Sequence, residues 1–401
     1  MLSTFERSHI INNIVCEKLK SHVVNLSKDP VNKDPRCWPQ LLLLAETLDA
    51  SNTHTQANIR DQLLHSYDPE TKRWAVLGKQ NPNSMKQSGH ISVTVNKHDT
   101  LVFTSVKSSK EKMIYHKMPF NISVYNLWTD TWSLPYVDEE EAELRVQRWR
   151  PHNLVSLNGS AFAAFKEVIG KRDHDVISLW SVQGAASDNP VYSMTHVNCE
   201  KVTRRLTSPV QLFTLSGKTI NVVDQLSVYS YDVSSNTWNQ SQIQGDTVSS
   251  SWISLKDGRM LQVGGVEVKT NTPSRSCAII SSFDEEPHKI GDMVRRRVQP
   301  SLVEYKGLVF AAGGLTQSKK RKIVSDAWES DLYGVQGEAV EASVEFYVPE
   351  INCWNLLPSQ PKVTPGAQLS LVRVDKPMRL MNLAFPSTSS QTSHKRSHGD
   401  E

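Results

Sequence analysis

The sequence is short of cysteine and has no two cysteines close together. Cys16, Cys37, Cys199, Cys277 and Cys353 are odd in number and widely spaced, with no CxxC pair. That excludes a disulfide framework read from spacing and fits a reduced, cytoplasmic protein. Long apolar runs are missing too. The longest aliphatic stretch, 41–45, is far too short to span a bilayer, and Glu6 and Arg7 leave no signal-peptide core, so no membrane partner is expected. Charge of one sign is also lacking: the net charge is +3 over 401 residues. Bulk attraction to nucleic acid is therefore not expected, and any basic site has to be local.

Catalytic signatures are absent as well. There is no G-x-S-x-G, H-E-x-x-H, P-loop or G-x-G-x-x-G. His196 and Cys199 stand three apart, but a lone pair makes a poor metal site. The expectation is no enzyme, no cofactor and no metal. Hydrophobic residues at 38% and charged residues at 22% are enough for a buried core.

What is present is a repeat. Tyr67 and Trp74, Tyr125 and Trp132, Tyr231 and Trp238, and Tyr347 and Trp354 each stand seven positions apart. Degenerate copies at Val176 to Trp180 and at Phe283-Asp284 to Ile290 fill the gaps. Interleaved with these are paired β-rich runs: 90–95 with 101–104, 152–157 with 161–165, 210–215 with 219–223, 251–255 with 260–263, 301–305 with 308–312, and 369–374 with 378–383. Asn158-Gly159, Ser216-Gly217, Asp257-Gly258 and Lys306-Gly307 supply turn residues that accept positive φ. A hairpin a–b followed by a Tyr/Trp pair c–d makes a four-stranded antiparallel unit that must stack on its neighbours.

The predicted fold is all-β, a six-bladed propeller with a short N-terminal α-helical segment. The Trp side chains are expected between blades and the Asp of each Tyr-Asp turn as its cap. The first Tyr/Trp unit lacks a hairpin before it and the last hairpin lacks a unit after it. Strands c and d from 62–77 are therefore expected to complete the sheet begun by 367–384, so that loss of either end destabilises the ring.

Tyr-Asp-x-x-Thr-x-x-Trp, the double glycines Gly264-Gly265 and Gly313-Gly314, and the a–b turns resemble the kelch repeat, over roughly 62–385. Ahead of it, Ile10, Ile11, Ile14, Val15 and Leu19 recur at helical spacing, and a second helical run is expected over 41–48 after Cys37-Trp38. This order over 1–50, with a linker at 51–61, resembles the closing helices of a BACK domain. The resemblance is to BTB-BACK-kelch proteins, and it implies a substrate receptor of a cullin-RING ubiquitin ligase or an actin-associated protein. The BTB side would carry cullin contact, and with none in the 401 residues direct cullin recruitment is not expected.

In such a fold the d–a and b–c connections share one face. Arg148, Arg150, Arg204, Arg205, Arg296 and Arg297 fall on predicted d–a connections and are the candidate partner-binding residues. The resemblance places an arginine nine or ten residues before the a–b turn glycine, at the pocket rim. Arg150 is nine before Gly159, Arg297 ten before Gly307, and Arg205 twelve before Gly217. An arginine there offers a planar fork to a carboxylate of an acidic peptide or partner protein; a solvated loop arginine is the competing reading. Acidic residues 138–141 lie on the same predicted face and would weaken or pair with that charge. Lys319, Lys320, Arg321 and Lys322 resemble a nuclear-import signal, again against a plain solvated run. The Ser/Thr-rich stretch 386–401 is expected to be disordered.

Overall fold

A computed structural model describes residues 40–48, 60–68, 73–77, 88–96, 100–107, 121–126, 131–133, 150–168, 175–184, 192–202, 210–305, 307–316, 342–358 and 369–374. These form four-stranded antiparallel sheets, with one 3-10 turn, Pro349–Ile351, as the only helix among the described residues.

In chain order, sheet II holds Ser88–Asn96, Thr100–Lys107, Asn121–Asn126 and Thr131–Ser133. Sheet III holds Arg150–Leu157, Ser160–Val168, Asp175–Gly184 and Tyr192–Val202. Sheet IV is Gln211–Leu215, Thr219–Asp224, Ser227–Asp232 and Thr237–Gln242. Sheet V is Ser251–Ser254, Met260–Val263, Cys277–Ile280 and His288–Lys289. Sheet VI is Ser301–Tyr305, Leu308–Ala312, Val344–Val348 and Cys353–Leu356. Sheets III to VI stand as blades in a propeller arrangement, each touching the next through its first strand.

Sheet I joins both ends of the described chain. Its order is Leu369–Val374, Gln40–Leu48, Arg60–Asp68 and Arg73–Leu77. Gln40 faces Val374 on one side, and Leu41 faces Tyr67 on the other. This corrects the expected helix over 41–48, which is a strand. A continuous Leu run reads equally as buried helix or buried strand, since periodicity cannot separate them. The sheet takes one strand from the C-terminal side and three from the N-terminal side, not two of each. The expected partner strand 378–383, the helix over 10–19 and the tail 386–401 lie outside the described residues.

The turns follow their sequences. Asn158-Gly159 sits at φ 52° and 74°, and Ser216-Gly217 at 54° and 63°. Both central residues are left-handed, as a two-residue hairpin twisting with its strands requires.

The Tyr/Trp repeat is a cross-strand pair. Each Tyr faces its Trp directly across strands c and d in sheets I, II, IV and VI. Ring centroids lie 5.1, 4.8, 5.1 and 5.4 Å apart for Tyr67–Trp74, Tyr125–Trp132, Tyr231–Trp238 and Tyr347–Trp354. In sheet III, Trp180 and His196 face each other as a cross-strand pair of their own, edge-on at 5.3 Å.

Three of the Trp side chains pack at seams between sheets. Trp354 packs with Leu261 and Val263 of sheet V and with Ile290 and Met293 just after it, and Trp238 with Leu157, Ile177 and Leu179 of sheet III. Trp74 of sheet I packs against Leu308, Phe310 and Phe346 of sheet VI. Burial as complete as that of Trp354 is worth about 3–5 kcal/mol against truncation to Ala.

The c–d turns carry a second seam contact. Asp232 caps its turn by accepting the Ser234 hydroxyl and the N–H groups of Ser234 and Ser235, the last two at 2.7 and 3.0 Å; the hydroxyl bond first, then the N–H bonds, hold its carboxyl below the usual range. Two residues before each of two Trp stands a left-handed Asn, Asn236 at φ 58° and Asn352 at φ 49°. Asn236 Oδ1 accepts the Tyr231 hydroxyl at 2.8 Å and Asn198 Nδ2 of sheet III at 2.7 Å. Asn352 Oδ1 accepts the Tyr347 hydroxyl at 3.0 Å and the Gly291 N–H, beyond sheet V, at 2.8 Å.

The inner strands are tied as well. Ser251 Oγ donates to Pro300 O, and Ser301 Oγ accepts the Leu371 N–H at 2.8 Å. Glu304 takes Arg373 at 2.9 Å and Lys256 at 3.3 Å, so one carboxylate spans sheets V, VI and I.

Candidate partner-binding face

The b–c connection of sheet V and the d–a connection after it form one hydrogen-bonded layer. Gly265 N–H donates to Arg297 O at 2.8 Å, Met293 N–H to Arg275 O at 2.9 Å, and Arg297 N–H to Ser274 O at 3.1 Å. Val266–Glu267 also folds back to pair with Thr247–Val248. The double glycine makes this layering possible. Gly264 lies at φ +64°, and a Cβ there would meet Arg297 O at 2.3 Å; at Gly265 a Cβ would meet Ser250 Oγ at 2.5 Å.

Arg297 is the centre of the seam between sheets V and VI. Its side chain is fully buried, as is that of Glu345 on strand Val344–Val348. Arg297 Nε and Nη2 reach Glu345 Oε1 at 3.0 and 2.9 Å. Nη1 reaches Gly313 O at 2.7 Å and Ser343 O at 3.0 Å, and Nη2 also reaches Ser343 Oγ at 2.7 Å. The five N–H donors of the guanidinium are thus all engaged inside the fold. This corrects the expectation that Arg297 offers an open fork to a ligand: it is a structural cation, buried because a carboxylate and three further oxygens replace its water.

Glu345 does more than neutralise Arg297. Its Oε2 accepts the Val294 N–H at 2.6 Å and its Oε1 the Arg295 N–H at 3.0 Å. One carboxylate therefore fixes the backbone of the 294–297 segment from below. The preceding seam solves the same problem without charge. Thr247, like Arg297, stands two residues before a left-handed residue, Ser249 at φ 55° or Gln299 at φ 54°. There Gln262 Nε2 donates to Thr247 Oγ1 at 3.0 Å and Ser250 Oγ at 3.1 Å, all three side chains being buried.

Above this brace, Val294, Arg295 and Arg296 point to solvent, Val294 being 41% exposed. Arg296 Nη1 makes a long contact to Pro273 O at 3.4 Å, and the exposed Arg275 lies on the strand of backbone that bonds Met293. Arg275, Arg295 and Arg296 make no ion pair among the described residues. Asp292, the nearest acid in sequence, is engaged by Lys289 at 3.8 Å.

Of the other expected site residues, Arg150 begins strand Arg150–Leu157, while Arg148, Arg204 and Arg205 lie outside the described residues. Residues 138–141 and the basic run Lys319 to Lys322 lie outside them too. Sequence reasoning named Arg296 but missed Arg275, Arg295 and Glu345. A single glutamate inside the apolar run Val344–Val348 was the available signal for the last, since a charge in a fully buried strand needs a partner.

No group of three or more His, Cys, Asp or Glu able to hold a metal is found among the described residues. No helix there is long and apolar enough to cross a membrane. Burial pushes the Cys277 thiol far above its ordinary range and so disfavours the thiolate. No family model matches the chain, and no curated protein matches it either.

Proposed function

We propose that the chain is a six-bladed, kelch-type propeller acting as a protein-interaction scaffold. It holds a partner protein on the face carrying the b–c and d–a connections. Blade number is supported by the order of neighbours among the first strands: Leu369–Val374 lies beside Ser88–Asn96 and Ser301–Tyr305, and the intervening sheets follow in sequence. The function is carried by one observation, the buried Arg297–Glu345 pair holding a solvent-facing segment in a fixed conformation. A pre-ordered segment loses little entropy when it binds.

In its finer form the scaffold is the substrate-recognition part of a cullin-RING ubiquitin ligase adaptor, with the BTB side supplied from elsewhere. Affinity purification of the tagged full chain with quantitative mass spectrometry tests both levels. Cullin subunits among the recovered proteins support the adaptor. Cytoskeletal proteins alone, with co-sedimentation on filamentous actin, replace it by an actin-associated role.

A further inference from the structure

We infer that Ser281 is a phosphorylation site for a protein kinase with a basic substrate cleft. Its phosphate takes the turn position that aspartate holds in sheet IV and pairs with Arg259. This goes beyond the scaffold reading and does not depend on it.

Strand register fixes the position. In sheet IV, Ile220 faces Tyr231, and residues 232–237 lead to Trp238 on the opposite strand. In sheet V, Met260 faces Ile280 and Ile279 faces His288, so residues 281–286 make a turn of the same length leading to Pro287. Ile280 therefore stands in the tyrosine place, and Ser281 in that of Asp232, the capping acid. Asp232 faces Thr219, and by the same register Arg259 comes opposite Ser281. Met260 and Ile280 pack toward sheet IV, while Leu261 and Ile279 pack toward sheet VI. Alternation along the two strands then puts Arg259 and Ser281 together on the side toward sheet VI.

Both residues are exposed, and the Ser281 hydroxyl has no hydrogen-bond partner among the described residues. The Arg259 guanidinium closes on Asp257, with Nε and Nη2 donating to Oδ2 at 2.8 and 2.6 Å. A phosphoserine brings about two negative charges and three acceptor oxygens, and so outcompetes one exposed carboxylate for that fork.

The segment itself names the kinase class. Asp284, Glu285 and Glu286 follow Ser281 at the third, fourth and fifth positions, all exposed and without an ion pair among the described residues. Three carboxylates suit a basic cleft and are rejected by an acidic one. The turn is also easily opened. Its outgoing strand, His288–Lys289, has two residues, against six in sheet IV and four in sheet VI. Inside it, the Glu285 N–H reaches Ser282 O at 3.2 Å and the Asp284 N–H reaches Ser282 Oγ at 3.4 Å, both long contacts. Ser282 is half-buried and its hydroxyl oxygen is engaged, which leaves Ser281 as the acceptor. In the transfer, Ser281 Oγ bonds to the γ-phosphorus of a nucleoside triphosphate. The bond to the β,γ-bridging oxygen breaks, the nucleoside diphosphate leaves with that electron pair, and the hydroxyl proton passes to a base of the kinase.

Incubation of the folded full chain with an acid-directed serine kinase and magnesium ATP, followed by fragmentation mass spectrometry, tests the site. Ser281 should be filled, and roughly tenfold more slowly when Asp284→Asn, Glu285→Gln and Glu286→Gln are combined. A kinase directed by basic residues should leave it empty. No phosphate on Ser281, whether or not other serines are filled, overturns the site, as does an unchanged rate in the triple variant. Thermal unfolding tests the pairing. The change in melting temperature on phosphorylation should be more favourable in the parent than in Arg259→Ala, by roughly 1–2 °C. That difference should shrink as salt rises. An equal change in parent and variant overturns the Arg259 contact.

Discussion

Arg297 and Glu345 meet with both side chains fully buried, the guanidinium closing on a single carboxylate oxygen at 2.9 and 3.0 Å. Removing one partner leaves the other charged and dry, which costs about 3–5 kcal/mol. Arg297→Met and Glu345→Leu should each lower stability by that order in urea unfolding. The double variant should lose clearly less than the two single losses combined, because no orphan charge remains. Full additivity would mean that the pair is not coupled.

Gly264 and Gly258 separate close packing from backbone strain. Both have positive φ, +64° and +87°, but a Cβ at Gly258 meets nothing within 4 Å, while at Gly264 it strikes the Arg297 carbonyl. Gly258→Ala should cost about 1 kcal/mol. Gly264→Ala should cost several times more, since the obstacle is backbone and cannot rotate away. Equal melting temperatures for the two variants would show that the seam can open freely.

Asn352 is held by conformation and by hydrogen bonds together. Asn352→Gly keeps the left-handed turn but loses the bonds from Tyr347 and Gly291. The expected loss is about 1–2 kcal/mol. Asn352→Ala adds the penalty of a positive φ and should be the worse of the two. The reverse ranking in thermal unfolding would contradict this assignment.

His65 makes stability depend on pH. It is 5% exposed, its Nε2 has no hydrogen-bond partner, and burial lowers its pKa from the ordinary 6.5. The unfolded chain therefore takes up a proton that the folded chain resists. This contribution is complete above the ordinary value and is lost as pH falls from it toward the lowered one. Melting temperature should drop between about pH 7.5 and 5.5, a range spanning the ordinary histidine value. The drop should be smaller in His65→Leu, and an equal drop in both would show that other groups carry it.

Periodic features were legible in the sequence because they repeat. Tyr and Trp at fixed spacing read directly as strands c and d, and Asn158-Gly159 as a hairpin turn. The Leu run at 41–48 misled because a continuous apolar run carries no strand alternation, and the strand beside it comes from residues 369–374, far along the chain. Arg297 misled for a different reason. Its spacing from Gly307 matched the one the resemblance implies for a pocket rim, but the partner that draws it inward, Glu345, lies on another strand. The open arginines were hard to see because Arg275 and Arg295 are brought together only by backbone bonds between connections.

The pairing of Gln40–Leu48 with Leu369–Val374 has a consequence for synthesis. As the chain leaves the ribosome, the first of these strands can pair with Arg60–Asp68 on one side only. Its other edge waits while the strands of sheets II to VI are translated. Such an edge is a template for pairing with other chains, so the nascent protein is most prone to aggregate just before Leu369–Val374 arrives.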